Sequence, residues 1–325
     1  MDILTLEPQN HLNDSIVNFY IKYLIRERLP QRLYQMGISR RIIKDMHIFP
    51  TYFYSSMSNL VGGSLYKNSF DGRKQLWKNM KVWTTGVNIF EKKYLIIPVN
   101  YALHWTFVLV CHPGLVVGVS AKSDSEGMYQ NQEQTKHHCT IPKSFPSFPL
   151  RSCILNFDSE KKPRRHRPQT INDVIRKYLN ACFENSFYYR PVKLSTPEQI
   201  REQAGKVFTS TSMPSLSPIC PSQTNTDDCG VYMLDMLEKV VLDPPVVNNQ
   251  FLEKKGNRWH PFTLKSISDA NKKRLEIKAM IYKIIERKSE ELDEDDVTQL
   301  NKTTTKQIAR TFMIIHCISH MHTQT

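Results

Sequence analysis

PSQTNTDDCGVYMLDML, residues 221–237, changes character at its centre. The first half is Pro, Ser, Thr, Asn and Asp, the composition of a loop. From Cys229 onward the pattern is apolar with a helical period, so a helix is predicted to start on the cysteine. Unpaired N–H groups and the macrodipole at a helix N-terminus favour a thiolate, the reactive form of the side chain. Asp228, just before it, is predicted to cap the helix. Alone, an Asp-Cys-Gly step reads first as a buried structural cysteine at a helix start.

Upstream stretches change that balance. YLIIPV (94–99) and HWTFVLVC (104–111) are short, β-branched or aromatic and continuously apolar, as strands covered on both faces are. CILNFDS (153–159) is predicted as a third strand. His104 opens one strand and Asp158 ends the next, so both are expected at one crevice, where a helix-start cysteine can meet them. A thiol nucleophile needs a base within hydrogen-bond reach, and that imidazole needs an acceptor to fix its tautomer. Gln223, six residues before Cys229, can offer an amide N–H to a developing oxyanion beside the Cys229 backbone N–H.

Elsewhere the pattern is mixed. Residues 14–28 read as a helix with Ile16, Phe19, Tyr20, Tyr23 and Leu24 on one face, stopped by Pro30. Residues 51–75, with Gly62 and Gly63, show no period and are expected to be a loop or insertion. Residues 119–150 are expected to form a second insertion. A helical stripe follows Thr170, with Thr170 and Asp173 as a capping box, and another helix is predicted over roughly 265–287. The acidic run SEELDEDD after Lys288 opens a polar tail, which sets expected boundaries of 1–288 for one catalytic domain and 289–325 for a mobile tail. Strands interleaved with helices mean α/β or α+β in one domain.

Composition excludes little but is consistent. With 325 residues the chain is long enough to bury a core without disulfides or metal. Its seven cysteines are scattered with no CxxC, which argues against a disulfide framework and for a reducing compartment. MDILTLEPQN does not read as a secretory signal, and FMIIHCI near the end is too short to span a bilayer. The formal net charge of +13 favours encounter with acidic partners and selects no substrate. His137, His138 and Cys139 lack a second cluster to complete a zinc site, so a solvated loop is expected there. EKKPRRHR (160–167) fits a nuclear-localisation run or a basic loop beside the site.

The chain resembles the catalytic domain of the SUMO-specific, or sentrin-specific, cysteine proteases. HLNDSIVNFYIKYL (11–24), IIPVNYALHWTFVLVCHPG (96–114), CILNFDS and PSQTNTDDCGVYML carry the resemblance, in the order His, Asp, Gln, Cys. It is greatest to the branch that edits SUMO chains. It implies an α+β papain-like fold, a central mixed sheet flanked by helices. It also implies hydrolysis of the peptide or isopeptide bond after a C-terminal Gly-Gly, with no cofactor and no metal. By matching positions, His104 is the base, Asp158 its orienting acid, Cys229 the nucleophile and Gln223 the oxyanion donor. Trp105 matches an indole covering the tunnel for the Gly-Gly tail, and a slot that narrow admits little besides two glycines. His11 stands where many members have the tryptophan of the other wall, which implies a weaker or pH-sensitive clamp. Asp227 is a departure too, because a second carboxylate beside the nucleophile opposes the thiolate unless it faces solvent. The N-terminal regulatory extension usual in the family is expected to be absent. Expected partners are SUMO or its conjugates, met by a monomer in the nucleus or cytoplasm, with no obligate nucleic acid and no membrane. The alternatives are a NEDD8 protease, a same-fold acyltransferase and an inactive SUMO-binding scaffold.

Overall fold

A computed structural model of the chain describes residues 2–37, 41–63, 66, 68–118, 149–160, 167–185, 205–253 and 266–290. The basic run at 161–166, the His137–Cys139 cluster, nearly all of the 119–150 insertion and the tail after 290 lie outside the described residues. Among the described residues, five strands form one sheet in chain order: β1 (Met46–Ile48), β2 (Tyr94–Tyr101), β3 (His104–Cys111), β4 (Cys153–Phe157) and β5 (Ser215–Leu216). The outer pairs are parallel and the central pairs β2–β3 and β3–β4 antiparallel, so the sheet is mixed. The helices are α1 (Asp14–Tyr23), α2 (Leu29–Gln35), α3 (Arg41–Lys44), α4 (Tyr52–Gly62), α5 (Phe70–Met80), α6 (Pro113–Val116), α7 (Pro168–Asn185), α8 (Cys229–Leu242), α9 (Asn249–Glu253) and α10 (Ile267–Glu290).

The continuous apolar runs of β2, β3 and β4 are explained by burial on both faces. Trp105, Phe107, Leu109 and Cys111 of β3 join Ile96, Leu155 and Phe157 in a core shared with α1, α2, α8 and α10. Val108 and Val110 alternate with them, and with Leu95, Ile97, Val99 and Ile154 they pack under α4, α5 and α7. The fold is α+β with the sheet as its middle layer. Phe107 and Phe157 are cross-strand partners, and their rings stack 4.5 Å apart.

Four local expectations need correction. Pro30 does not stop the first helix. One π turn, Leu24–Arg28, follows α1 and leads directly into α2, whose first turn holds Pro30. The wider π turn makes room for a residue with no N–H to donate. Within 51–75, expected to be a loop or insertion, the described residues form helix α4 and the start of α5. Phe53, Tyr54 and Met57 of α4, and Arg73, Leu76 and Met80 of α5, are buried at helical spacing. Arg73 Nε bonds both oxygens of Glu184 at 2.8 Å, tying α5 to α7. Helix α7 begins at Pro168, so Thr170 is inside it and Asp173 accepts from Arg176 in place of closing a capping box. Asp228 sits at the N-cap of α8 but makes no side-chain cap bond; its carboxylate is drawn elsewhere, as described below.

Candidate active site

The β2–β3 hairpin closes on only two residues, Ala102 and Leu103, both left-handed at φ 50° and 62°. Tyr101 and His104 are paired across it. Two-residue hairpins of this kind favour Asn-Gly, since side chains strain a left-handed backbone. Here the strained pair exposes Tyr101 and Leu103 and turns the Leu103 carbonyl to the Cys229 thiol, with Sγ donating at 3.8 Å. Strain of this type concentrates at functional sites.

His104, the first residue of β3, is fully buried. Asp158 leaves the end of β4, which runs antiparallel beside β3, so strand order brings the two together. His104 Nε2 donates to Asp158 Oδ1 at 2.7 Å. With Nε2 so engaged, Nδ1 is the nitrogen left for Cys229. Burial opposes the imidazolium. Hydrogen bonds that the imidazolium donates to Asp158 and Cys229, and the charge on both, outweigh it and hold His104 up to about 9. Glu160 adds a more distant carboxylate, 3.9 Å from Nδ1. It was not singled out in the sequence, and no motif marks it.

Cys229 occupies the first position of α8 and is buried. The Gly230 that follows has a steric reason. A Cβ there would lie 2.9 Å from Leu12 Cβ and 3.1 Å from Trp105 Cδ1. Gly230→Ala should lower stability by about 1–3 kcal/mol through overpacking. Thermal unfolding checks this, and an unchanged Tm would mean that the 10–13 segment shifts freely.

Gln223 is held at three points. Ser159 Oγ donates to its Oε1, its backbone N–H donates to Ser159 O at 3.0 Å, and its Nε2 donates to Asn225 O at 2.8 Å. An amide nitrogen carries two hydrogens, so one remains beyond the Asn225 bond. Asp227 accepts from Thr226 Oγ1 at 3.1 Å in a solvent-exposed contact. Trp105 is 1% exposed, and its Nε1 donates to Leu12 O at 2.7 Å. Its indole thus holds the irregular segment that carries His11, whose Nδ1 is buried without a hydrogen-bond partner. Among the described residues, no group of three or more His, Cys, Asp or Glu is placed to hold a metal.

A buried helix-start thiol beside an imidazole, itself clamped by a carboxylate, is the arrangement of a cysteine-dependent hydrolase. A family model of the Ulp1 protease family, C-terminal catalytic domain, matches residues 10–289, and the chain belongs to that family. Human sentrin-specific protease 7 is 29% identical over 292 residues, covering 80% of this chain and 24% of that protein. The probable ubiquitin-like-specific protease 2A of Arabidopsis thaliana is 28% identical over 291 residues, 87% of this chain and 30% of the relative. The chain therefore spans 24–30% of these relatives' length. The crystal structure of a de-sumoylating protease superposes with a TM-score of 0.50 at 18% identity, covering 96% of this chain and 91% of that one, which shows the shared fold.

Proposed function

We propose that the chain is a cysteine protease that hydrolyses the peptide or isopeptide bond after the C-terminal Gly-Gly of SUMO, with His104, Asp158, Cys229 and Gln223 as its machinery. The observation that carries it is His104, buried and held between Asp158 and Cys229 with its charged form favoured to about pH 9. An imidazole so placed takes the Cys229 proton, and the thiolate attacks the glycine carbonyl. The second Nε2 hydrogen of Gln223 and the first free N–H groups of α8 face the oxyanion. His104 then protonates the leaving lysine amine, and water resolves the thioester. The tail enters beside His11, over the segment that Trp105 supports from below. Membership of the Ulp1 family and the sentrin-specific relatives support SUMO as the modifier. The same likeness supports a preference for chains. The inner faces of α4 and α5 belong to the core, so a second modifier would meet only their outer faces. A monomer working in the nucleus or cytoplasm fits this reading; no described helix is long and apolar enough to cross a membrane.

The deciding experiment is competition among poly-SUMO, a mono-SUMO conjugate and a NEDD8 conjugate, with initial rates at two salt concentrations. Faster cleavage of both SUMO substrates is expected. Faster NEDD8 cleavage at both salts rejects the modifier, and equal rates on chains and mono-SUMO remove only the chain preference. Gln223→Ala should lower kcat by about 10²–10³ with a smaller change in KM, the signature of a lost oxyanion donor. An unchanged kcat would make the Ser159–Gln223–Asn225 links purely structural.

A further inference from the structure

Arg274 of α10 lies far from the four residues above in sequence, and its side chain is 1% exposed. Nε donates to Asp228 Oδ1 at 3.0 Å. Nη2 donates to the same oxygen at 2.7 Å, to Asp227 O at 3.1 Å and to Asn10 O at 2.8 Å. Nη1 donates to Thr5 O at 3.0 Å and Glu7 O at 3.2 Å. One guanidinium thus grips both the residues just before the nucleophile and the N-terminal segment that continues into His11 and Leu12. Its fork geometry reaches several acceptors at once, which an ammonium does not.

The grip extends inward. The other Asp228 oxygen, Oδ2, accepts from Asn225 Nδ2 at 2.8 Å, while the Asp228 N–H donates to Asn225 Oδ1 at 3.2 Å. Asn225 O in turn accepts from Gln223 Nε2. On the other side, Leu12 O accepts from Trp105 Nε1. Arg274 also explains why Asp228 fails to cap α8. A carboxylate folded over the first turn would use N–H groups that otherwise face the reacting atoms, and would set a negative charge against the oxyanion. Arg274 draws that carboxylate aside and neutralises it.

We propose that Arg274 is the positioning residue of this site: through Asp228 and Asn225 it sets the nucleophile and the Gln223 amide, and through Asn10 it sets the His11 wall. The proposal rests on the protease reading above and deepens it. Residues 223–228 form no helix or strand of their own, so these bonds supply the order that secondary structure does not. A misplacement of about 1 Å at such a site can cost about 10²-fold in rate.

Three variants test this. Arg274→Lys keeps the charge and loses the fork. Arg274→Met with Asp228→Asn removes both charges, so no unpaired buried ion is left to unfold the protein. Asn225→Ala, in the loop, removes the two side-chain bonds to Asp228 and keeps the carbonyl that holds Gln223, so it cuts only the link between Asp228 and the Gln223 loop. Each is assayed for Tm, for kcat and KM on a SUMO conjugate, and for the rate at which iodoacetamide alkylates Cys229, read by mass spectrometry. The two Arg274 variants should lose roughly 10²-fold in kcat with KM within about threefold, and should alkylate more slowly while still folded. Asn225→Ala should lose about tenfold in kcat with Tm unchanged. A folded Arg274 variant with wild-type kcat and alkylation rate overturns the proposal, as does wild-type kcat in Asn225→Ala. Alkylation needs no modifier substrate. A wild-type protein that alkylates readily but cleaves no conjugate would reject the protease reading, leaving the role of Arg274 to be judged by alkylation alone.

Discussion

Cys229→Ala should bind a SUMO ending in Gly-Gly about as well as the wild type and hydrolyse no conjugate above background. Removing the nucleophile of a concerted triad typically costs about 10⁶ in kcat, because the remaining groups have no bond to make. Binding is expected to survive because the thiol is a small, buried group. Most contact area must come from the modifier's globular body. The measurement is single-turnover cleavage of a SUMO conjugate beside a binding isotherm for the same modifier. Cleavage at a comparable rate would sink the assignment of Cys229.

Asp158→Asn is expected to have the next largest effect, up to about 10⁴ in kcat, by analogy with the loss of the orienting carboxylate in a Ser-His-Asp site. The physical cause here is specific. Burial by itself pushes His104 down, and its rise to about 9 depends on Asp158 and Cys229. With Asn at position 158 the charge is gone and the hydrogen bond is weaker, while the burial stays. The wild type should therefore show an alkaline limb of kcat/KM near pH 9, where the free enzyme loses the imidazolium proton. In the variant that limb should move toward acid. A limb still near 9 would show that Asp158 does not control His104.

The same shift makes a stability prediction. The folded value lies above the ordinary 6.5, so protons favour the folded state. The contribution is complete below pH 6.5 and is lost as pH rises through about 9. Asp158→Asn should flatten that part of the stability curve, measured by urea unfolding at a series of pH values.

Local patterns carried much of this protein. The runs at 94–99 and 104–111 showed strands covered on both faces, because a strand buried twice has no polar alternation, and 153–159 showed a third strand. The start of α8 at Cys229 was legible from the change of composition at one residue. The helix near 265–287 was legible from its length. Gly230 was visible as a conspicuous neighbour, though its reason, the approach of Leu12 and Trp105, was not.

What the sequence by itself determined was the three central strands, the helices at 14–23, 168–185, 229–242 and 267–290, and a His, an Asp and a Cys at element ends with a Gln in the loop before the Cys. Propensity, periodicity and side-chain chemistry are properties of short stretches, and these suffice for that much. The tertiary structure alone decided which partners each group takes. Pro30 was absorbed by a π turn, and the helices at 52–62 and 70–80 became core because α7 and the sheet supply the surface they cover. Asp228 gave up its cap to Arg274, and Trp105 turned its indole to Leu12, a contact across 93 residues. Arg274 reaches acceptors 46 to 269 positions away. No periodicity records such pairings, since they depend on where the folded chain returns and not on what lies next to each residue.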